Sequence, residues 1–552
     1  MPPNVEPPTR PPSLDALKFE RRPMVRWLDP AVLADAALRV VLSSVFGSYA
    51  DKREIQRLME EPPHDYSGAG DPFWLDFVAD LGDGFDSTYA MACILARPEL
   101  QVGGETLPRG RALVMGGDEV YPTASREEYE ARFRGPYEAA FPWTDPEQAP
   151  DLYAIPGNHD WYDGLTNFGR FFCSERWIGG WRTRQRRSYF GLRLPHNWWL
   201  LAIDIQLDTY IDDAQLDYFR GLGMQPGDRA ILVTGKPSWT KVEAGEPLER
   251  QPDSYKNLQY FKDQAIPEGV AVPVTLTGDL HHYCRYHADD GSHLITSGGG
   301  GAYLFPTHTQ HETLEIPAKD GGATAYRCDQ SLFPSREESK GLVWGALALT
   351  RHAPRLLWIF SVLYALFGLS LYWVLQDKKS WLVGTIAVGL LLWLGLSVYA
   401  AKEKALAKIA LGTAHTIPHL VLAAIPAYVL AECLDLDGWG WALAATAVAA
   451  LFGFLLAGVV FGAYLIASHR KAPKHANEVL ACQGIADYKN FLRLRIDASG
   501  LRIYAIGVRK VPRRWEADPG NADPSAPWLK PVDRQLEVEL IDDGPIDVAA
   551  GG

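Results

Sequence analysis

Residues 152–160 read Leu-Tyr-Ala-Ile-Pro-Gly-Asn-His-Asp: an apolar run that breaks at Pro156-Gly157 and then delivers Asn158, His159 and Asp160 side by side. An apolar stretch stopped by Pro-Gly reads as a short buried strand ending in a loop. The same figure recurs along the chain. FWLDFVAD ends at Asp80, RALVMGGD at Asp118, WWLLAID at Asp204, ILVTGKP at Pro237 and VPVTLTGDLHH at His282. Helix-like stretches, among them Ser87 to Arg97 and Ser125 to Arg134, lie between several of these strands, so residues 70–345 are expected to form an α/β domain. In open α/β sheets ligands gather beyond the carboxyl ends of strands, and the ligand-type residues fall there.

Four clusters follow one another: Asp80-Leu81-Gly82-Asp83, Gly117-Asp118-Glu119-Val120-Tyr121, Gly157-Asn158-His159-Asp160 and Gly278-Asp279-Leu280-His281-His282. Singly, each is an ordinary turn or helix cap. In this order they resemble the calcineurin-like metallophosphoesterase superfamily, for which Gly-Asn-His-Asp is the most specific element. The resemblance implies a four-layer α-β-β-α sandwich and hydrolysis of a phosphomonoester or phosphodiester by metal-activated water. It implies two metal ions on Asp80, Asp118, Asn158, Asp279 and His281, with Asp118 bridging. It places His159 beside the scissile phosphate as proton donor, oriented by Asp160. Such side chains hold divalent ions, and an imidazole can protonate a leaving oxygen.

The sequence departs from that pattern three times. Asp80-Leu81-Gly82 stands where Asp-x-His is common, a form shared with purple acid phosphatases. In those, Gly-Asp-x-x-Tyr adds a tyrosine ligand, and Gly117 to Tyr121 reproduces it. Tyr121 is therefore either a metal ligand or an aromatic packed before Pro122. At Val233-Thr234-Gly235-Lys236-Pro237 the usual His is missing, and Lys236 is a candidate phosphate contact. Asp279 replaces a His of the usual Gly-His-x-His. The oxygen-rich set favours Mn, Fe or Mg over Zn. Further candidate substrate contacts are His282, His308 after the Ser297–Ala302 glycine run, and Arg186 within the Arg182–Arg187 basic stretch. The glycine run lacks the Gly-Lys-Ser/Thr of a nucleotide P-loop.

The 552 residues are 47% hydrophobic and carry a net charge of −13, which speaks against a nucleic-acid binder that works by phosphate neutralisation. The six cysteines form no CxxC pair, so no disulfide framework or zinc ribbon is expected, and a reducing compartment fits. A mean hydropathy of −0.12 suggests a soluble chain, yet it averages two unlike parts. Uncharged runs occupy about 356–375, 381–401, 409–431 and 439–468. Each matches the ~20 residues that a membrane-spanning helix needs. Arg351, Arg355, Lys402, Lys404, Lys408, Arg470, Lys471 and Lys474 flank one side, which by the positive-inside tendency places both termini and the catalytic domain in the cytoplasm.

The remaining segments are expected to be a disordered Pro-rich lead at 1–29, a helical extension at 30–69, and a C-terminal segment at 469–552. Within the last, 491–506 reads as a β-hairpin that packs on the catalytic domain, and the end beyond Glu516 as loosely ordered. His415 and His419 share one face of the third span near its basic loop and read as interfacial histidines, with a buried metal or proton site as the alternative. The expected partners are a phosphate-ester substrate, with a lipid headgroup or nucleotide as open choices, and membrane lipids. The alternative is a membrane sensor or transporter subunit that keeps a degenerate, non-catalytic metallophosphoesterase domain.

Overall fold

The computed structural model describes residues 9–46, 56, 58–59, 61, 63–205, 211–317, 322–328, 330–400, 404–471, 474–518, 521 and 523–549. The chain divides into two units: Met1–Val25, Ala36–Ser339 and Ala486–Gly552 form the first, Arg26–Asp35 and Lys340–Ile485 the second.

The first unit is mixed α/β and carries two large sheets. In one, strands Phe73–Val78, Ala112–Met115 and Asp151–Ala154 run parallel and side by side. Asp80, Asp118 and Asn158 therefore leave at the same edge. In the other, Trp198–Ile203, Arg229–Thr234, Ala271–Thr277 and His293–Ser297 are also mutually parallel. Asp279 and His281 follow the third of these, and Gly298 the fourth. Strands covered on both faces read as unbroken apolar runs, and every side chain of Ala112–Met115 and Trp198–Ile203 is buried. Helix Phe85–Ala96 packs against the first sheet, and helices Asp213–Arg220 and Asp253–Ala265 against the second.

The C-terminal hairpin is an interior part of the first sheet. Lys489–Asp497 pairs antiparallel with Phe73–Val78, and Gly500–Val508 is flanked in turn by Glu539–Leu540 and Ile546–Ala549. Register sets Arg493 directly opposite Asp76. Both are buried, at 0% and 2% exposure. The guanidinium grips the carboxylate with both arms, Nε to Oδ1 at 2.7 Å and Nη2 to Oδ2 at 3.0 Å, and Nη1 donates to the Leu107 carbonyl at 2.8 Å. A charge in mid-strand is tolerable only when paired this completely.

Two expectations of looseness differ from what is seen. Within the Pro-rich lead, Leu17 and Val25 are buried, and the Val25 N–H donates to Asp83 Oδ1 at 2.7 Å. Its scattered apolar residues are enough to dock an extended segment. Beyond Trp515, the strands Trp515–Ala517 and Leu529–Pro531 pair, and the Trp528 N–H bonds the Ala139 carbonyl at 2.9 Å. The expected extension at 30–69 begins as a helix over Pro30–Phe46; residues 47–55 lie outside the described ones.

The second unit holds helices Pro354–Leu375, Leu382–Tyr399, Ala405–Tyr428 and Trp439–Lys471. By length and composition four helices are apolar enough to cross a membrane, with hydropathies of 1.8, 2.1, 1.5 and 2.4. Ala445, Ala449, Gly453 and Ala457 of the last recur every fourth residue and form a small-residue face that lets backbones approach. At Gly453 an added Cβ would meet the Phe360 carbonyl at 2.7 Å. Large apolar side chains such as Val383, Leu390, Leu394 and Leu443 point outward instead.

Arg493→Met should strand the Asp76 charge in the interior and cost about 3–5 kcal/mol, whereas Asp76→Leu/Arg493→Met should recover most of that loss. Chemical denaturation of the detergent-solubilised chain, followed by tryptophan fluorescence, checks the order. A double variant no more stable than the single one would contradict it.

Candidate metal centre

The carboxylates at the strand ends are held by unusual backbone geometry. Asp80, Asp118 and Asp279 all lie in the left-handed region, with φ of 59°, 56° and 68°. Asp visits this region more readily than most residues, yet such positions still cost of order 1–3 kcal/mol each and cluster at functional sites. Neighbouring backbone locks them in place. The Asp80 N–H donates to the Gly117 carbonyl and the Leu81 N–H to the Asp118 carbonyl, both at 2.9 Å. The Ala302 N–H reaches the Asp80 carbonyl, also at 2.9 Å.

Glycines make room for the side chains. A Cβ at Gly157 would overlap Asp118 Oδ1, and one at Gly298 would overlap Asp80 Oδ2. The glycine of Gly-Asn-His-Asp and the glycine run after His293–Ser297 are thus packed directly on two carboxylates. Gly82 has a different reason: a Cβ there would run into the Glu119 carbonyl. No side chain fits at this position, and the Gly82 carbonyl accepts the Tyr121 N–H at 2.9 Å.

Tyr121 occupies the middle of the cluster. Its hydroxyl lies 3.0 Å from Asp80 Oδ1, 3.3 Å from Asp118 Oδ2 and 3.0 Å from His281 Nε2. His281 Nδ1 is 2.9 Å from the Tyr303 carbonyl. A carbonyl only accepts, so Nδ1 carries the proton and Nε2 presents a lone pair to the cluster. One phenol proton therefore faces three acceptors. Asp80 Oδ2 is buried with no hydrogen-bond partner. Among the described residues no group of three or more His, Cys, Asp or Glu is gathered closely enough to hold a metal ion; Asp80, Asp118 and His281 stand around a phenol oxygen.

The electrostatics show the same surplus of lone pairs. Burial, and then the charges of Asp118 and Asp279, push the Asp80 carboxyl well above its ordinary range. Burial, Asp160 and Asp279 do the same to Asp118. Burial followed by Asp118 and Asp80 keeps the Tyr121 phenol protonated. Burial pushes His281 well below its ordinary value, with the Lys489 ammonium adding to the effect. A nearby cation opposes the upward shifts of Asp80, Asp118 and Tyr121 and adds to the lowering of His281. The donor set, carboxylate and phenol oxygens with one imidazole nitrogen, fits hard to borderline ions.

His159 stands beside this cluster, its ring 4.4 Å from that of Tyr121. Its Nδ1 is 2.6 Å from the Pro122 carbonyl, so Pro122, and not Asp160 as expected, orients the imidazole. Asp160 serves the loop instead. Its Oδ2 accepts the N–H groups of Gly157, Asp118 and Glu119 at 2.8, 3.0 and 3.3 Å, and Oδ1 accepts the Tyr129 hydroxyl. Burial lowers the His159 pKa to about 4, so the ring is neutral at pH 7.

The other expected contacts divide. Asn158 Nδ2 bonds the Tyr162 hydroxyl at 2.8 Å. Tyr162 is pushed up to about 12 by burial, with the charges of Asp118 and Asp279 adding to the shift, and its ring lies 5.0 Å from that of His159. Lys236 is 9% exposed. His282 is fully buried and lowered to about 3 by that burial, so it belongs to the interior and offers no contact to substrate. His308 Nδ1 is 2.8 Å from Ser339 Oγ. Arg186 is taken by Glu175, at 2.8 and 3.0 Å, and Arg187 by the Met59 carbonyl. Arg184 also pairs with Asp151, at 3.7 Å, so two of the four arginines of the basic stretch face a carboxylate of their own domain.

Sequence reasoning missed Lys489. It is fully buried, donates to the Ala302 carbonyl, and is lowered to about 8 by burial against the pull of Asp83 and Asp80. A Lys-Asn pair opening the strand Lys489–Asp497 was the available signal. Tyr162 was also missed, although its spacing of four from Asn158 places both on one helical face.

No protein-family model and no curated protein sequence matches this chain. Among solved structures it is similar to one described as "GAP50 the anchor in the inner membrane complex of Plasmodium", at 11% identity and a TM-score of 0.31, over 48% of this chain and 80% of that one.

Proposed function

We propose that the chain is a membrane-anchored, metal-dependent phosphoric ester hydrolase of the calcineurin-like type, its first unit a four-layer α-β-β-α sandwich. The observation that carries this is the acceptor surplus around Tyr121: Asp80 Oδ1, Asp118 Oδ2 and His281 Nε2 share a single phenol proton, while Asp80 Oδ2 lies buried and unpartnered. Leaving such groups buried together is costly unless a cation compensates. Asp80, Asp118, Tyr121 and His281 would hold one part of a metal pair, and Asn158 and Asp279 the other, with Mn, Fe or Mg suited to the oxygen-rich set. When bound, such ions offset charge on phosphoryl oxygens and make water nucleophilic at neutral pH.

The chain's own residues supply positioning and proton handling. The Pro122 carbonyl takes the Nδ1 proton of His159, so Nε2 is the basic nitrogen. The ring is half-buried and neutral. An anionic ester beside it opposes that desolvation and raises its basicity. His159 then takes up a proton and delivers it to the leaving oxygen. Asp160 contributes by fixing the loop whose amides place Asp118.

Both flanks of the membrane helices return to one sheet, through Phe73–Val78 and Lys489–Asp497. Together with the basic loops this supports an even number of crossings with the hydrolase in the cytoplasm. Lipid headgroups and nucleotides both qualify as the ester.

Purified full-length chain is expected to hydrolyse aryl phosphate mono- or diesters only after loading with Mn, Fe or Mg. His159→Ala should lower kcat by about 10²–10⁴ with metal content retained, and Asp118→Asn should lose both metal and turnover. Metal binding without turnover on any ester would favour the sensor or transporter alternative. Tyr121→Phe should weaken metal affinity by about 10–100-fold, read by competition with a chelating dye; unchanged affinity would leave Tyr121 as packing alone. In intact cells, an impermeant thiol reagent should label Lys378→Cys in a Cys433→Ser background and spare Lys474→Cys in the same background. The reverse pattern would invert the orientation.

A further inference from the structure

The second unit buries an imidazole pair that the hydrolase does not use. His415 and His419, four residues apart on helix Ala405–Tyr428, are both 0% exposed. Neither ring can turn freely. His415 lies flat on Tyr464, centroids 3.8 Å apart and planes at 6°, with Phe461 edge-on at 4.6 Å. His419 lies on Phe360 at 4.5 Å and 15°. The faces are covered by aromatic rings, so only the nitrogen-bearing edges remain for other contacts.

Those edges lack partners. Both ring nitrogens of His415 and Nε2 of His419 are buried without a hydrogen bond, while His419 Nδ1 is 2.7 Å from the Tyr364 hydroxyl. The two rings are neighbours, 5.2 Å between centroids. Unsatisfied polar groups within a membrane-spanning bundle are costly, and ionisable residues placed there mark function. Histidines spaced by four present their nitrogens on one helical face, as in helical zinc motifs. A hydrogen bond from one ring nitrogen to an oxygen, as Tyr364 offers His419, sets the tautomer and orientation of a ligating imidazole.

We propose that His415 and His419 form an intramembrane site for a transition-metal ion that prefers imidazole, copper or zinc. No described carboxylate or thiolate joins them as a third ligand of a closely gathered group. Hard ions such as Mg and Mn are therefore disfavoured, in contrast to the oxygen-rich set of the first unit. The ligand atoms are His419 Nε2, with Tyr364 holding Nδ1, and one nitrogen of His415. The site does not depend on the hydrolase activity.

The test uses the full-length chain in detergent, in an Asp118→Asn/His281→Ala background that removes two of the ligands of the candidate centre. After incubation with copper or zinc in separate arms and removal of excess, elemental analysis should find about one equivalent per chain, and adding His415→Gln/His419→Gln should abolish it. The copper arm should show nitrogen superhyperfine coupling in the Cu(II) spectrum, which the double substitution removes. Tyr364→Phe should retain the ion but bind it about tenfold more weakly. Should His415→Gln/His419→Gln melt early by circular dichroism, His419→Cys decides: a thiolate ligand should keep the ion and add a sulfur-to-copper charge-transfer band. Equal metal in the presence and absence of the pair, no retained copper or zinc in the background chain, or no such band in His419→Cys would overturn the proposal.

Discussion

The pairing of Arg493 with Asp76 across two neighbouring strands is the contact on which the arrangement of the chain depends. One partner precedes the four apolar helices in sequence and the other follows them, yet they lie opposite each other in one sheet. The pairing is bidentate, buried and completed by the Leu107 carbonyl. A shift of one residue would turn Arg493 to the opposite face and leave two charges unpaired in the interior. The pair therefore sets the register of the returning strand. That register carries Lys489 and Asn490 to the glycine run, where the Asn490 N–H donates to the Gly299 carbonyl at 3.1 Å. The membrane unit is an insertion within the first unit, whose last strands are needed to complete it.

The candidate centre follows from a second constraint, the room needed by carboxylates at crowded strand ends. Three aspartates take left-handed backbone, and glycines at 157, 278 and 298 come close enough that a methyl group would collide with a carboxylate. Strain of this kind persists only where the surroundings impose it. Here the surroundings are the hydrogen bonds that tie the Asp80 loop to the Asp118 loop and to Ala302. The same crowding explains the glycine at 82, which is pressed on the Glu119 carbonyl, and the place at the cluster's centre falls to the Tyr121 hydroxyl.

Much of this was legible in the sequence, for identifiable reasons. Strands that run into Asp80, Asp118 and Asn158 announce themselves because a doubly covered strand is mostly apolar and stops at small and polar residues; Asp76, inside Phe73–Val78, is the exception, and its partner Arg493 lies far along the chain. The four long helices are equally plain, since nothing charged interrupts them. What the sequence concealed was non-local. The orienting partner of His159 is a backbone carbonyl at Pro122, which has no side-chain signature, and the adjacent Asp160 was the natural but different choice. Arg186 looked like an anion contact because the sequence does not show Glu175 beside it. The Pro-rich lead looked disordered because its few apolar residues, Leu17 and Val25, gain their burial from surfaces far along the chain.

The two units also divide polar chemistry by what their surroundings tolerate. In the first, many backbone amides are near, so carboxylates can be concentrated and their repulsion moderated by N–H donors, as at Asp160, which accepts three amides and a phenol. In the second, every backbone donor of a helix interior is already committed to its own helix, and no such moderation is available for a carboxylate. Imidazole is the side chain that remains affordable there, because it can be neutral and still offer a lone pair. Among the described residues between 340 and 485, the acidic ones accordingly sit in loops and at helix ends, at Asp377, Glu432, Asp435, Asp437 and Glu478, while buried positions go to His415 and His419. One chain thus builds an oxygen-rich cluster in one unit and an imidazole pair in the other, each from the polar side chains its surroundings tolerate.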